Sequence, residues 1–332
     1  MIERIKIRNY KSVQELDLPC KRYNVFIGDT SSGKSNILEA LSLLSQGVIQ
    51  FDRGLNAHAF DKRVIRYDRL SELFTNADLR EPITVEADAA DVIVHFDQKD
   101  QLMKFRFSDM NGNKSEYHFQ MPGNQVQFNG TNGSLDTVIR RYQYDPAVTF
   151  GQHWFTHLAP TDGHNLSAVL LHNPELLSEI DEIMTAKDIF ISIDRDTYKI
   201  SQRIDIARNV SVHLSWATIS ETIKRYVFLY TAVRTNQNAV LLLDEPEQNT
   251  FPFYTAHIAE IMAREVTNQY FITTHNQYLL SALLDKAPAD QIQVLATFRK
   301  DKETVVRPVP YEELEELMKY DLFLNLDKLA EA

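Results

Sequence analysis

The first half of the chain shows mainly the two-residue alternation of apolar and polar side chains that predicts β-strands. Residues 2–9 alternate in this way, and an apolar run over 23–27 predicts a second, buried strand. A helix with one apolar stripe is expected from about residue 36. Within 83–128, five short segments predict a β-meander: ITVEA, VIVHF, LMKFRF, YHFQM and QVQF.

The second half changes to longer helical patterns separated by short apolar strands. The stretch NLSAVLLHNPELLSEIDEIM predicts helices interrupted at residues 173–174, and a helical pattern over 220–234 leads into the strand AVLLLDE. A helix over 254–266 precedes the strand QYFITTH, and a helix over 277–284 precedes a hairpin of IQVLATF and TVVRPV. The last segment predicts an acidic amphipathic helix.

This alternation of apolar strands and helices predicts an α/β fold with a largely parallel, buried sheet. We expect one domain over 1–332 that is divided into two lobes. The lobe at 1–160 would carry the glycine-rich loop and the β-meander. The lobe at 161–332 would carry a helical insertion, the acid-ended strand, a histidine-ended strand and the C-terminal hairpin and helix.

The segment IGDTSSGKSNILEAL places a loop of small and polar residues between the apolar strand and the first helix. It fits the pattern G-x-x-x-x-G-K-[ST] at Gly28, Gly33, Lys34 and Ser35, in the strand–loop–helix order that the motif requires. Backbone N–H groups of such a loop turn toward an anionic phosphate, and the start of the helix adds a favourable dipole. Lys34 is predicted to contact the β- and γ-phosphates of a nucleotide, and Ser35 to bind Mg²⁺.

Two acidic residues follow the strand AVLLL, at the edge of the sheet where ligands of open α/β folds bind. Asp244 is predicted to hold Mg²⁺, and Glu245 to polarise the attacking water as a general base. The next apolar strand, YFI, leads into Thr273, Thr274 and His275. A histidine at that position is expected to contact the terminal phosphate.

Composition limits the remaining possibilities. The net charge of −11 and the scattered basic residues do not indicate a nucleic-acid-binding surface, although a localised basic face stays open. The single cysteine, Cys20, excludes an internal disulfide framework and a thiolate zinc cluster. The sequence contains no run of about 20 apolar residues that would indicate a membrane span. It begins with an alternating strand rather than a signal peptide pattern, so a cytoplasmic protein is expected.

Together, these motifs resemble the ABC-type ATPase heads of the SMC, RecF and OLD families. The opening IERIKIRNYKSVQELDL…NVFIGDTSSGKSNILEAL is similar to their N-terminal strand pair, phosphate loop and first helix. LLLDEPEQNTFP is similar to their acid strand, and FITTHNQYLLSAL is similar to their histidine switch. The resemblance covers most of the chain and is most specific at the nucleotide site.

The resemblance implies a P-loop NTPase of the ABC-ATPase type that uses ATP and Mg²⁺. It implies that Ser35 and Asp244 bind the metal. Glu245 would be the catalytic base, His275 the sensor of the γ-phosphate, and Glu247–Asn249 would lie near a dimer seam. Two heads would enclose two ATP molecules, each head giving a signature serine to the ATP of the other. The nucleotide-binding residues would be Gly28, Asp29, Thr30, Ser31, Ser32, Gly33, Lys34, Ser35 and Asn36, with Lys34 also counted as catalytic.

Two serines compete for the signature position, Ser215 in HLSWA and Ser220 in ISETIKR. Ser220 lies 24 residues before Asp244 and Ser215 lies 29 before it, and the family's spacing favours Ser220. Ser220 also precedes a helical run, as an N-cap serine would. The glycine that usually follows the signature serine is absent. Glu221 and Thr222 stand in its place, which puts close approach to a partner's γ-phosphate in doubt.

Other family features stay open or are not expected. Gln143 and Gln152 are both candidates for the family's glutamine switch. No long heptad run indicates an SMC-type rod, and little sequence follows the last hairpin, so the C-terminal nuclease domain of OLD proteins is not expected. The triplet DRD at 194–196 is expected to form a polar loop rather than a metal site.

The sequence therefore favours a stand-alone ATPase that dimerises on ATP and works as a switch. By analogy with the OLD-like branch, its partner would be a separate effector such as a nuclease or toxin, in bacterial anti-phage defence. One alternative is a RecF-like repair or recombination ATPase that clamps DNA. Another is an ATP-sensing scaffold that barely hydrolyses the nucleotide, which the altered signature would suit.

Overall fold

The structure is a computed structural model that describes residues 1–45, 60–88, 90–109, 114–120, 126–128, 138–152, 156–186, 188–319 and 322–324. Its strands are β1 (Arg4–Tyr10), β2 (Val13–Pro19), β3 (Tyr23–Ile27), β4 (Ile83–Ala87), β5 (Ala90–Asp97), β6 (Leu102–Asp109), β7 (Lys114–Gln120), β8 (Val126–Phe128), β9 (Ile139–Tyr142), β10 (Phe190–Ile193), β11 (Ile200–Ala207), β12 (Val210–Ser215), β13 (Val240–Asp244), β14 (Gln269–Thr273), β15 (Ile292–Lys300) and β16 (Glu303–Val309). Its α-helices are α1 (Lys34–Ser42), α2 (Leu166–His172), α3 (Pro174–Thr185), α4 (Glu221–Thr235), α5 (Pro252–Arg264), α6 (Gln277–Lys286) and α7 (Tyr311–Met318).

The chain forms two compact units. The first unit comprises Met1–Arg141, Asn238–Pro246 and Asn268–Ala332, and the second comprises Tyr142–Gln237 and Glu247–Thr267. This grouping differs from the division expected at residue 160. Strands β13 to β16 belong to the same unit as the N-terminal strands because they form one hydrogen-bonded sheet with β3, although they are distant from it in sequence.

A six-stranded sheet in the order β16-β15-β3-β14-β13-β9 organises the first unit. Strand β3 lies between β14 and β15 and runs parallel to both, and β13 runs parallel to β14. Every residue of β3 and β14 is buried. Such strands are covered on both faces, which explains why their sequences are continuously apolar rather than alternating. The predicted α/β fold with a largely parallel, buried sheet is confirmed.

A second sheet of the first unit has seven antiparallel strands in the order β2-β1-β4-β5-β6-β7-β8. It contains the predicted meander, β4 to β8. Along β1, Ile5 and Ile7 are buried between exposed positions, as the alternation predicts. These side chains join one apolar core with residues of α1 and with Phe26, Leu242 and Phe271 from the parallel sheet. The helix that follows the glycine-rich loop is thus held against both sheets.

The second unit contains helices α2 to α5, as the helical patterns predict, and a three-stranded antiparallel sheet, β10-β11-β12, which they do not. The predicted interruption at residues 173–174 is present, because Asn173 accepts a hydrogen bond from the Leu176 amide and Pro174 begins α3. The triplet DRD forms the turn between β10 and β11, where Asp194 Oδ1 accepts from the amides of Asp196 and Thr197. That carboxylate is used by the turn itself, in agreement with a polar loop.

No helix within the described ranges is both long and apolar enough to cross a bilayer.

Candidate functional site

The glycine-rich loop connects the end of β3 at Ile27 to the start of α1 at Lys34. Three of its residues have left-handed backbone: Gly28 at φ 155°, Ser31 at φ 63° and Gly33 at φ 106°. Left-handed residues between ordinary ones curl the chain so that successive N–H groups face a common concavity, which suits an anion. The loop therefore has the local conformation that its sequence predicts.

Packing against β15 and β16 explains why two positions of this loop are glycine. A Cβ atom at Gly28 would lie 2.1 Å from the carbonyl oxygen of Thr297, and a Cβ at Gly33 would lie 1.9 Å from Thr304 Oγ1. Both distances are far inside van der Waals contact. The C-terminal hairpin is thus the surface on which the loop rests, and it leaves no space for a side chain at either glycine.

Thr304 is itself fixed by hydrogen bonds. Its hydroxyl donates to the Ser32 carbonyl at 3.2 Å and lies 2.6 Å from Ser12 Oγ, and its amide donates to the Ser12 carbonyl at 2.7 Å. Asn36, in the first turn of α1, donates to Ser12 Oγ at 2.7 Å. The network joins the loop, the β1–β2 turn and the C-terminal hairpin.

Lys34 lies in the interior of the loop and is only 4% exposed. Its Nζ donates to the carbonyl oxygens of Gly28 at 2.9 Å and Asp29 at 2.8 Å, and lies 3.4 Å from Ser32 Oγ. Burial lowers the pKa of this ammonium to about 8, although nearby carboxylates, Glu245 foremost, act in the opposite direction. The loop thus encloses one cation whose partners are neutral carbonyl oxygens.

The acid strand places Asp244 beside Ser35, the residue that follows the lysine. Ser35 Oγ donates to Asp244 Oδ1 at 3.3 Å, and Thr273 Oγ1 donates to the same oxygen. Arg141 Nη2 lies 3.0 Å from the other oxygen, Oδ2. Burial raises the pKa of the Asp244 carboxyl, but the Arg141 charge and these hydrogen bonds outweigh it and hold the pKa below its usual value. Asp244 is therefore a partly buried, ionised carboxylate.

Glu245 follows directly and faces the histidine predicted at the end of the next strand. Its backbone has φ 45°, and its amide donates to the carbonyl and the hydroxyl of Thr273, both at 3.1 Å. Its Oε1 lies 3.2 Å from His275 Nε2, and each side chain is 36% exposed. Burial and, to a lesser extent, the Lys34 charge lower the pKa of His275.

The backbone around His275 is held on both sides. The Thr274 amide donates to the Phe26 carbonyl at 3.1 Å, which ties the strand end to β3. Asn276 caps α6 by accepting from the amides of Tyr278 at 2.8 Å and Leu279 at 3.1 Å. The histidine therefore sits on a fixed joint between strand and helix, which limits the directions its ring can take.

The donor set at Ser35 and Asp244 fits Mg²⁺. Among the described residues, no group of three or more His, Cys, Asp or Glu side chains is placed to hold a metal ion, so an all-protein cage is not found in those ranges. Mg²⁺ prefers oxygen ligands, keeps several waters and is usually held by one or two protein groups together with phosphate oxygens. One hydroxyl and one ionised carboxylate, side by side, meet that requirement.

The other predicted loop residues occupy the positions that the motif gives them. Asp29, Thr30 and Ser31 are exposed at the tip, where Asp29 Oδ1 accepts from the Thr30 amide at 2.6 Å. Ser32 is buried, and its amide donates to the Asp29 carbonyl at 3.3 Å. These contacts are internal to the loop and set its shape.

The signature candidates lie in the second unit. Ser220 is exposed and immediately precedes α4, but its side chain makes no capping hydrogen bond. Two residues on, Thr222 Oγ1 donates to the Asn249 carbonyl at 2.9 Å. This bond brings the Ser220 segment to the segment Glu247–Asn249. Ser215 is also exposed, at the end of β12.

Glu221, which replaces part of the usual signature, does not present an isolated negative charge. Its two carboxylate oxygens lie 3.3 Å from Lys224 Nζ and 3.3 Å from Arg225 Nε. The guanidinium of Arg225 also stacks over the Tyr144 ring at 4.8 Å. Two cations of the same helix therefore balance this carboxylate.

Three contributors to the first unit's site were not predicted: Arg141, Thr273 as a partner of Asp244, and Thr304. Each meets the loop or the acid strand through strands that are distant in sequence. Arg141 and Thr304 belong to no recognisable motif, and Thr273 lies in the histidine-ended strand without any local sign that it contacts Asp244. For the glutamine switch, the structure places Gln143 one residue beyond β9, with its amide donating to the Thr161 carbonyl at 3.0 Å. Gln143 and Gln152 both remain candidates.

Comparisons with known proteins agree with this arrangement. A family model described as "AAA ATPase domain" matches residues 1–121. A second, described as "AAA domain, putative AbiEii toxin, Type IV TA system", matches residues 151–281. No curated protein matches the sequence.

Solved structures show the same fold. An SMC head bound to the C-terminal winged-helix domain of ScpA is 13% identical, with 95% of this chain and 99% of that chain covered and a TM-score of 0.55. An SMC head with an extended coiled coil, bound to the C-terminal domain of ScpA derived from Pyrococcus furiosus, is 13% identical, with 96% and 98% covered and a TM-score of 0.50. With its loop, acid strand and histidine brought together at one edge of the sheet, the chain has the fold of an SMC head domain, and two of its segments match family models of AAA ATPase domains.

Proposed function

We propose that this protein binds ATP with Mg²⁺ at residues 28–36 and hydrolyses it to ADP and phosphate. The amides of the curled loop and the Lys34 ammonium would hold the β- and γ-phosphates, because a buried cation hydrogen-bonded to neutral oxygens gains strongly from an anion. Ser35 and Asp244 would hold the metal ion, which supplies charge neutralisation of the phosphates when bound. The catalytic work of the chain itself then falls to Glu245 and His275.

Glu245 would act as the general base on the attacking water, with His275 orienting it and sensing the γ-phosphate. A contact of His275 with one carboxylate oxygen, 3.2 Å away, would leave the other oxygen to accept from water and would fix the direction of the carboxylate. The backbone of Glu245 has a positive φ, and the two hydrogen bonds from its amide to Thr273 hold it in this position.

One observation carries the proposal. The ends of the neighbouring parallel strands β3, β14 and β13 converge at one edge of the sheet. There, Asp244 and the next residue, Glu245, each form one pair: Ser35–Asp244 at 3.3 Å and Glu245–His275 at 3.2 Å. A metal-binding carboxylate next to a base carboxylate, beside a phosphate loop, is the arrangement that nucleoside triphosphate hydrolysis needs.

The test is ATP turnover, measured as phosphate release with Mg²⁺. The wild type should hydrolyse ATP, Lys34→Ala should lose nucleotide binding, and Glu245→Gln should bind nucleotide with little turnover. Glu86→Gln, an equal change of charge at an exposed position of β4, is the matched control and should behave as wild type. A wild type that binds no ATP, or a Glu245→Gln variant that hydrolyses normally, would contradict the proposal.

ATP is further proposed to join two copies of the chain, with Ser220 completing the nucleotide site of the partner. The exposure of Ser220, its uncapped hydroxyl and the nearby Glu247–Asn249 segment support this role. The balanced charge of Glu221 removes much of the repulsion that this residue would exert on a γ-phosphate. Light scattering of Glu245→Gln with ATP should show a dimer, and Ser220→Arg should remain monomeric while it still binds ATP.

The dimer is proposed to act on a separate protein effector such as a nuclease or toxin. Two observations support a protein partner: the solved SMC heads are bound to domains of ScpA, and one matching family model is described in terms of a toxin. The link to anti-phage defence rests on the resemblance to OLD-like proteins. Purification of Glu245→Gln with ATP from the native host should retain the effector.

The DNA-clamping alternative is disfavoured by the ion pairs of the first unit. Four exposed arginines, at positions 4, 8, 69 and 80, each form an ion pair with a carboxylate that is close in sequence or on the paired strand. Such pairs reduce the positive potential that phosphate binding needs. ATP-dependent DNA binding with a steep salt dependence would reverse this judgement. Saturable ATP binding without turnover in any oligomeric state would favour the scaffold instead.

A further inference from the structure

Arg141 on β9 is a buried residue beside the candidate site that the sequence motifs did not predict. Its side chain is only 1% exposed and is one of the largest nearly fully buried side chains in the described ranges, and it lies in the same unit as the P-loop and the acid strand. Burial of a guanidinium is costly unless a carboxylate meets it. Its Nη2 lies 3.0 Å from Asp244 Oδ2. The carboxylate proposed to bind the metal therefore already has a fixed cationic partner.

The two oxygens of Asp244 have different surroundings. Oδ1 accepts from the hydroxyls of Ser35 and Thr273, which are neutral. Oδ2 faces the guanidinium of Arg141. A metal ion would thus be held on the Oδ1 side, next to Ser35, because the Arg141 guanidinium occupies the Oδ2 side.

We propose that Arg141 is a positioning residue that holds the Asp244 carboxylate and, by sharing its negative charge, sets the Mg²⁺ concentration that the nucleotide site requires. The inference rests on the proposed function, because it concerns the same site. A carboxylate that is half-neutralised by one cation attracts a second cation less, and the two cations also repel each other. Loss of the Arg141 charge should therefore tighten Mg²⁺ binding, even though the carboxylate loses a hydrogen bond.

The experiment measures Mg²⁺ dependence without turnover. In the Glu245→Gln background, binding of a fluorescent ATP analogue is titrated with Mg²⁺ for three further changes. Arg141→Gln should lower the half-saturating Mg²⁺ concentration by about tenfold. This change corresponds to only part of the repulsion expected between two close cations in a partly buried site. Arg141→Lys should keep the half-saturating Mg²⁺ concentration within about twofold of the parent, because the lysine ammonium carries the same charge.

Arg140→Gln is the matched control, because adjacent residues of a strand point to opposite faces. It removes the same charge from the same strand and should leave the Mg²⁺ requirement unchanged. An unchanged or raised requirement in Arg141→Gln would overturn the inference. If the parent binds no nucleotide at any Mg²⁺ concentration, the proposed function fails instead, so the two failures are distinguishable.

A second measurement covers the case in which Arg141→Gln does not fold. The side-chain NMR resonance of Arg141 in the Glu245→Gln parent is assigned by its loss in Arg141→Lys, then followed as Mg²⁺ is added with the ATP analogue. Mg²⁺ should shift this resonance, and the analogue alone should shift it less. A resonance that responds equally with and without Mg²⁺ would overturn the role.

Discussion

Gly33→Ala tests the packing of the P-loop against the C-terminal hairpin. The added methyl group would lie 1.9 Å from Thr304 Oγ1 and within 2.9 Å of two further Thr304 carbon atoms. Thr304 cannot turn aside freely, because its hydroxyl contacts Ser12 and the Ser32 carbonyl. The substitution therefore forces either the loop or the hairpin to move.

The magnitude follows from two separate costs. Overpacking of a fixed site costs about 1 to 3 kcal/mol. An L-residue at φ 106°, where Gly33 lies, adds about 1 to 3 kcal/mol of backbone strain. The free energy of unfolding should thus fall by about 2 to 6 kcal/mol, a large fraction of the 5–15 kcal/mol typical of a domain. Nucleotide binding should be lost as well, because the loop can no longer keep its curl.

A double-mutant cycle separates the two costs. Thr304→Ala removes the hydroxyl and one methyl group, so Gly33→Ala should cost at least about 1 kcal/mol less in that background while the strain at φ 106° persists. Ser31→Ala, also at positive φ but with a side chain already present, is the control and should change stability by less than about 0.5 kcal/mol. Urea denaturation followed by circular dichroism gives these values. Equal costs of Gly33→Ala in both backgrounds would refute the assignment of Thr304 as the obstructing surface.

Three further predictions concern the site directly. The pKa of Lys34 is lowered to about 8, so its ammonium is charged below that pH and neutral above it. ATP affinity should therefore fall by up to about tenfold per pH unit above pH 8, and in Lys34→Arg this fall should disappear, as binding of a fluorescent analogue at pH 7 and 9.5 will show. Asn276→Ala removes the cap of α6 and should cost about 1 kcal/mol in urea denaturation; no loss would mean that another group caps the helix. Glu245→Gln should lower turnover by at least about 100-fold with nucleotide affinity retained, and a parallel loss of affinity in equilibrium binding would contradict its role as a base.

Much of this site could be predicted because its chemistry is local in sequence. The loop from Gly28 to Ser35 and the pair Asp244–Glu245 each occupy a continuous segment, and the buried strands before them are recognisable from composition alone. The parallel sheet then brings the segments together, since neighbouring parallel strands end at the same edge.

The rest depends on pairing that no local pattern encodes. Arg141 reaches Asp244 across 103 residues, and Thr304 reaches Ser32 across 272. The grouping of strands into units follows sheet order for the same reason. The sheet β10-β11-β12 was not predicted because much of its surface is exposed: Ile206 and Val210 lie at the surface, so no buried face marks these strands as part of a core.

The contact between Gly33 and Thr304 also bears on when the binding site can form during synthesis. The loop residues are translated roughly 270 residues before the hairpin that packs against them, which at typical elongation speeds means tens of seconds. Until then the nascent loop lacks the hairpin against which it packs, and strand β3 before it lacks both of its neighbours in the sheet. Newly made chains should consequently gain nucleotide affinity only after the hairpin has been translated, and chaperones that bind β3 would protect the chain during that interval.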